Sequence, residues 1–253
     1  MQIEIHSNSA ATGRAAAARA ATLIKQIIAE QNSCRLVFAT GASQFELLAQ
    51  LTATPLPWDK ISGFHLDEYL GLPFNHPASF CNYLQQRVVS KVPLQNFHFI
   101  NGLTENPQAE CERLNQLVST APIDLALIGI GENAHLAFND PPADFDTTSP
   151  FIVVGLDEAC RRQQLGEGWF PELDAVPRQA ISMSIQQILA ARHLICTVPD
   201  ARKAVAVAAA IEGPVTPQVP ASILRRHPAL DLFLDYDSAS LLKHSGHRKE
   251  HHE

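Results

Sequence analysis

Apolar positions along this chain follow two periods that take turns. Ile3 and Ile5 alternate with polar neighbours, which predicts a short first strand. Small and aliphatic residues then recur at helical spacing through Leu23, Ile24, Ile27 and Ile28, predicting one long helix to about Glu30. Residues 36–39 form a buried-strand run, and Phe45, Leu47, Leu48 and Leu51 mark a second helix. A strand over 61–66 leads into an expected loop, Asp67-Glu68-Tyr69-Leu70-Gly71-Leu72-Pro73. Ser79 reads as the cap of a helix through Val89. Further along, strands are expected over 97–100, 123–130, 151–154, 193–198 and 230–234, and helices over 107–118, 157–164 and 201–212. Strands alternating with helices of 10–15 residues predict an α/β fold: a doubly wound, mostly parallel sheet with helices on both faces. No linker interrupts the pattern, so residues 1–242 read as one domain. Residues 243–253, a polar tail holding four histidines, read as a frayed, disordered terminus.

Composition narrows the function classes. The chain has 253 residues, 46% hydrophobic and 18% charged, with a formal net charge of −7. That balance excludes the basic footprint of a nucleic-acid-binding protein. An anionic substrate therefore needs a local basic pocket. Five cysteines, Cys34, Cys81, Cys111, Cys160 and Cys196, are scattered without a CxxC pair, which suits reduced thiols in the cytoplasm and argues against a zinc site. No apolar run approaches the roughly 18 residues of a membrane helix. The Ala- and Arg-bearing start, acid-poor like a transit peptide, continues into Leu23 and Ile24 and so reads as an ordinary amphipathic helix.

Three stretches carry candidate chemistry. The apolar run 123–130 ends in glycines and opens into Gly131-Glu132-Asn133-Ala134-His135-Leu136-Ala137-Phe138-Asn139-Asp140. A buried strand that opens into a glycine-containing loop at its carboxyl end is where open α/β sheets place ligands. An imidazole titrates near neutrality, and His135 has acids and amides within five residues, an arrangement suited to general acid–base work. Thr40-Gly41-Ala42-Ser43 joins a strand to a helix, where backbone N–H groups and hydroxyls form an anion cradle. It lacks the GxGxxG and GxxxxGK[ST] patterns, so no dinucleotide or P-loop site is indicated. Asp67 and Glu68 follow a strand at the same expected edge; desolvation raises an Asp carboxyl in general above its ordinary value of about 3.9, toward a working base. Lys203, at the start of a helix, and Arg161 or Arg162 would supply charge to a phosphate.

Taken together, these pieces resemble the glucosamine-6-phosphate deaminase/6-phosphogluconolactonase superfamily, and the deaminase branch most closely. The matching pieces are residues 39–43, 66–73 with His76-Pro77 and Ser79-Phe80, 129–141, and 203–213, in the family's order over most of the chain. The resemblance implies a Rossmann-like fold without a nucleotide, cofactor or metal, converting glucosamine 6-phosphate into fructose 6-phosphate and ammonia. By that likeness His135 helps open the sugar ring with Asp140 orienting or charging it. Asp67 would then move a proton from C2 toward C1 through an enolamine. Thr40, Gly41, Ala42, Ser43, Lys203 and an arginine near Arg162 would hold the phosphate.

Four departures stand out. Deaminases carry Asp where this chain has Asn133, Gly where it has Ala134, and Glu where it has Asp140. Asn133 can orient a neighbour but adds no negative charge. The second glycine of the phosphate loop is Ala42, which fits only with a negative φ. Other readings stay open: a phosphosugar lactonase, a deaminase or isomerase for another amino-sugar phosphate, and a sugar-phosphate sensor without turnover. Oligomeric state is not legible.

Overall fold

The computed structural model describes residues 1–166, 168–243 and 248–250. The strands are β1 (Gln2–His6), β2 (Cys34–Phe38), β3 (Ile61–His65), β4 (Asp67–Tyr69), β5 (Asn96–His98), β6 (Leu125–Ile128), β7 (Phe151–Gly155), β8 (Gln179–Met183), β9 (His193–Val198), β10 (Leu230–Asp235) and β11 (Arg248–Glu250). The helices are α1 (Ser9–Gln31), α2 (Phe45–Ala53), α3 (Phe80–Leu84), α4 (Pro107–Ser119), α5 (Glu158–Gly166), α6 (Ile185–Leu189) and α7 (Ala204–Glu212). Helix α1 starts where the Asn8 side chain accepts the Ala11 N–H at 3.0 Å, and it stops at Asn32, whose left-handed φ of 60° turns the chain away.

Among the described residues, eight strands form one parallel sheet in the order β11-β1-β10-β9-β6-β2-β3-β5. Strand alternation splits its side chains between two cores. Leu36, Phe38, Leu125, Leu127 and Phe233 pack beneath α1 and α2 against Ile24, Leu47 and Leu51. Val37, Ala126, Ile128, Leu194 and Leu232 face the other way, toward α4, α6 and α7 through Leu114, Ile188 and Val207. Gly13 of α1 permits the close approach of α2, since a Cβ there would run into the Glu46 Cβ and come within 2.9 Å of the Leu47 backbone nitrogen.

The chain leaves β2 toward β3 and β5 on one side, then returns past β2 to lay down β6, β9 and β10 on the other. The strand order therefore reverses between β2 and β6, and the crevice at their carboxyl ends is the expected ligand position of such a sheet.

Three features differ from the sequence expectation. Asp67–Tyr69 is not loop: it is β4, the edge of a second, antiparallel sheet ordered β4-β8-β7. Strand β8 and the short helix α6, five residues each, are absent from the sequence expectation. The helix expected to run from Ser79 through Val89 begins there, with Ser79 Oγ accepting the Asn82 N–H, but passes after Leu84 into a wider turn over Gln85–Val89. Of the polar tail, residues 244–247 and 251–253 lie outside the described residues, while the backbone of β11 runs beside β1.

Candidate active site

Because every strand of the large sheet points the same way, the segments after β2, β3, β6, β9 and β10 emerge at one edge. They enclose a cavity of about 770 Å³ lined by Thr40, Gly41, Ala42, Ser43, Asp67, His135 and Lys203, among others. That volume lies in the range usual for small-molecule sites.

The loop after β2 bends at Gly41, whose φ of +92° is the left-handed region that glycine tolerates. Ala42 is not among the described residues with positive φ and begins the tight turn Ala42–Gln44, so its methyl group costs nothing there. Tyr83 Oη donates to the Gly41 carbonyl at 2.9 Å, and buried Gln44 donates to Ser43 Oγ at 3.1 Å and to the Thr197 carbonyl at 3.4 Å. These bonds moor the cradle to α3 and to β9. Sequence reading passes over Gln44, because a polar residue at a helix start gives no sign of burial.

The loop after β6 is organised around the imidazole. Gly131 donates its N–H to the His135 carbonyl at 3.0 Å, and a Cβ at Gly131 would overlap the His135 ring. Ala134 and Ala137 hold φ of 67° and 51°, conformations that cost an L-residue roughly 1–2 kcal/mol each. The turn survives because its far end is anchored: Asn139 Nδ2 donates to the Leu136 and Met183 carbonyls at 2.7 and 2.8 Å, and Phe138 N–H donates to Ser182 Oγ at 3.0 Å. Asn139 thus serves the loop and not the cavity.

His135 Nδ1 lies 3.2 Å from Asp140 Oδ1, an ion-pair approach without hydrogen-bond alignment, with both side chains 14% exposed. Asn133 Nδ2 donates to the same Asp140 oxygen at 2.9 Å, while Asn133 Oδ1 accepts the His135 backbone N–H at 3.1 Å. Burial pushes the Asp140 carboxyl up, but the contacts with His135, Cys160 and Asn133 outweigh it and leave the carboxyl below its ordinary value. One methylene fewer than Glu therefore still brings Asp140 to the imidazole.

The two adjacent acids part company. Successive side chains of a strand point to opposite faces. Asp67, 6% exposed, lines the cavity. Glu68, 2% exposed, turns away and accepts from Ser79 Oγ at 2.7 Å and from the Cys81 and Phe80 N–H groups at 2.8 and 3.2 Å, capping α3. Ser182 stands opposite Asp67 in the β4–β8 pairing and also receives the Phe138 N–H, so one residue links both catalytic candidates.

Among the basic candidates, Lys203 borders the cavity. Arg162 is placed elsewhere: its side chain is 65% exposed and pairs with Glu158 one turn away on α5, at 2.6 Å. Arg161 is buried and donates to the Val176 and Leu173 carbonyls, fastening the segment after α5. The cation that joins Lys203 at the cavity is Arg202, which sequence reading does not single out. Its signal was present as Arg202-Lys203 at a strand-to-helix junction. Among the described residues no group of three or more His, Cys, Asp or Glu is arranged to hold a metal ion, and no helix is long and apolar enough to cross a membrane.

Residues 7–232 match the family described as glucosamine-6-phosphate isomerases/6-phosphogluconolactonase. A glucosamine-6-phosphate deaminase of Lactobacillus delbrueckii subsp. bulgaricus is 36% identical over 214 residues, 85% of this chain and 90% of that protein. One of Oenococcus oeni is 34% identical over 242 residues, 96% of this chain and 99% of that protein. Among solved structures, a monomeric glucosamine-6-phosphate deaminase superposes with a TM-score of 0.86 at 31% identity, covering 95% of this chain and all (100%) of that one. The 6-phosphogluconolactonase of Trypanosoma brucei shares the fold at 16% identity, with a TM-score of 0.79 and coverage of 96% and 98% of the two chains. Sequence and fold agree: this chain belongs to the glucosamine-6-phosphate isomerase/6-phosphogluconolactonase family.

Proposed function

We propose that the protein is a glucosamine-6-phosphate deaminase that uses Asp67 and His135 as its proton carriers. The observation that carries this reading is their convergence: a carboxylate from β4 and an imidazole from the loop after β6 border one cavity with the Thr40–Ser43 cradle. Overall identity near 35% to proteins of that activity, over most of both chains, supports the reaction class.

In this reading the phosphate rests on Thr40, Gly41, Ala42, Ser43 and Lys203. Backbone N–H groups and one ammonium give local positive potential to a chain whose net charge is −7. His135, oriented by Asn133 and Asp140, carries the proton from the C1 hydroxyl to the ring oxygen and so opens the ring. Asp67 then takes the C2 proton as the aldehyde oxygen gains one, giving the enolamine, and returns it to C1 as the amino group sheds a proton. The product is the C2 imine, which water converts to the ketose while ammonia leaves. Buried carboxylate and imidazole supply proton transfer at both stages, each worth on the order of 10² to 10⁴ in rate. Five buried free thiols support a reducing, cytoplasmic compartment.

Ammonia and ketose phosphate measured after incubation with glucosamine 6-phosphate, galactosamine 6-phosphate and 6-phosphogluconolactone test the reading. The first substrate should give both products, and Asp67→Asn should lower the rate by about 10² to 10⁴. Acid release from the lactone alone, or full activity in Asp67→Asn, would remove it.

A further inference from the structure

We propose that Arg202 is the guanidinium of the phosphate subsite, parked on Glu132 and Asp200 until a phosphate monoester takes it from them. The proposal rests on the phosphosugar reading above.

The cavity lining carries Asp67, Glu132, Asp200, Asp235 and Asp237, against which stand the cations Arg202 and Lys203. One ammonium facing that many carboxylates is a poor host for a phosphate dianion. A second cation corrects the balance, and a planar guanidinium can meet two phosphate oxygens at once. Arg162 does not provide it, being paired with Glu158 on an exposed face of α5. Arg202 stands directly before Lys203, in the tight turn Ala201–Lys203 that leads into α7.

The present partners of Arg202 are replaceable ones. Its Nη1 lies 3.4 Å from Glu132 Oε1 and its Nη2 lies 2.8 Å from Asp200 Oδ2, with the arginine side chain 57% exposed. Ion pairs this open to water are weak. A dianion presenting two oxygens competes with them on favourable terms.

The backbone beneath is built for the purpose. Asp200 holds a φ of +93°, a left-handed conformation unusual for a residue with a side chain, and such outliers gather at functional positions. Asp235 keeps it there, accepting the Asp200 N–H at 3.2 and 3.0 Å from its two oxygens. The strained turn aims the Asp200 carboxylate at both the Arg202 N–H (2.9 Å) and its guanidinium. Glu132, the second partner, is the residue before Asn133 and belongs to the loop that carries His135. Movement of Arg202 to phosphate therefore frees a carboxylate beside the ring-opening histidine, so phosphate arrival and the imidazole loop are linked through one side chain.

The test is calorimetric titration of inorganic phosphate into wild type, Arg202→Ala, Arg202→Lys, Glu132→Gln and Arg162→Ala, alongside KM and kcat for glucosamine 6-phosphate. Arg202→Ala should weaken phosphate binding about ten- to hundredfold, as expected for lost charge-assisted hydrogen bonds. KM should rise by a similar factor with kcat changed far less. Arg202→Lys, which keeps the charge and loses the fork, should fall between. Glu132→Gln, which loosens the parked state, should tighten phosphate binding about two- to fivefold, the size of an exposed ion pair. Equal phosphate affinity in wild type, Arg202→Ala and Arg202→Lys overturns the proposal while leaving the deaminase reading standing. A loss confined to Arg162→Ala does the same. Phosphate binding by wild type without turnover of any amino-sugar phosphate would instead strike the deaminase reading, with Arg202's part decided by the titrations alone.

Discussion

Asn133 donates its carboxamide N–H to Asp140 Oδ1 at 2.9 Å, on the same oxygen that faces His135. A neutral carboxamide thus stands beside the Asp140 carboxylate, at a position where the family resemblance leads one to expect a second carboxylate. Asn133→Asp would place a second carboxylate against Asp140, and like charges that close raise one of the two carboxyls. The expected result is a fall of about tenfold in kcat/KM at neutral pH, with the acid limb of the profile moved upward. A pH–rate profile of wild type and variant checks it, and superimposable curves would contradict it.

Asp140 also makes stability depend on pH. Burial raises its carboxyl, yet contacts with His135, Cys160 and Asn133 prevail and hold it below the ordinary value. A carboxyl depressed in the folded state contributes stability that is fully present above the unfolded value of about 3.9 and fades as pH falls through the lower folded value. Melting temperatures from pH 2 to 5 should drop more steeply in wild type than in Asp140→Asn.

Gly131 makes room for the imidazole. Alanine there would push the His135 ring aside, and in the proposed reaction misplacing that proton carrier by about 1 Å costs on the order of 10²-fold. Turnover of Gly131→Ala should fall by about that factor with Tm nearly unchanged. Full turnover would show that the ring has another place to sit.

Gly13 sits inside α1, where alanine ordinarily gains about 1 kcal/mol in helix propensity. Here the added methyl meets the Glu46 Cβ and the Leu47 backbone nitrogen, neither the end of a flexible chain. Overpacking costs about 1–3 kcal/mol and should win. Urea unfolding of Gly13→Ala should show a loss of about 1–2 kcal/mol, with KM unaffected; a gain in stability would mean that α1 and α2 slide apart at little cost.

Much of the frame was legible in the chain itself. The alternation of apolar runs with helical stretches places Ile3, Val37, Ala126, Leu194 and Leu232 in parallel strands, because fully buried strands read as apolar runs. Gly41, Asp67, His135 and Lys203, which line one cavity, were legible as candidates because each comes just after a strand, and a parallel sheet delivers the ends of all its strands to one edge. Four short matches in family order carried the reaction class, which 34–36% identity over most of the chain now supports.

Tertiary structure decided what distance along the chain cannot encode. Asp67 and Glu68 are neighbours with the same chemistry, and only the pairing of β4 with β8 sends one to the cavity and the other to cap α3. Arg161, Arg162 and Arg202 are equivalent as letters, yet one is tied to backbone carbonyls, one pairs along its helix and one reaches the cavity. Local composition dictates which segments become strands and helices, since period and capping act within a few residues. Where a side chain finally points depends on register and crossing geometry between segments more than a hundred residues apart, as between β4 and β8, and those relations exist only once the chain has closed on itself.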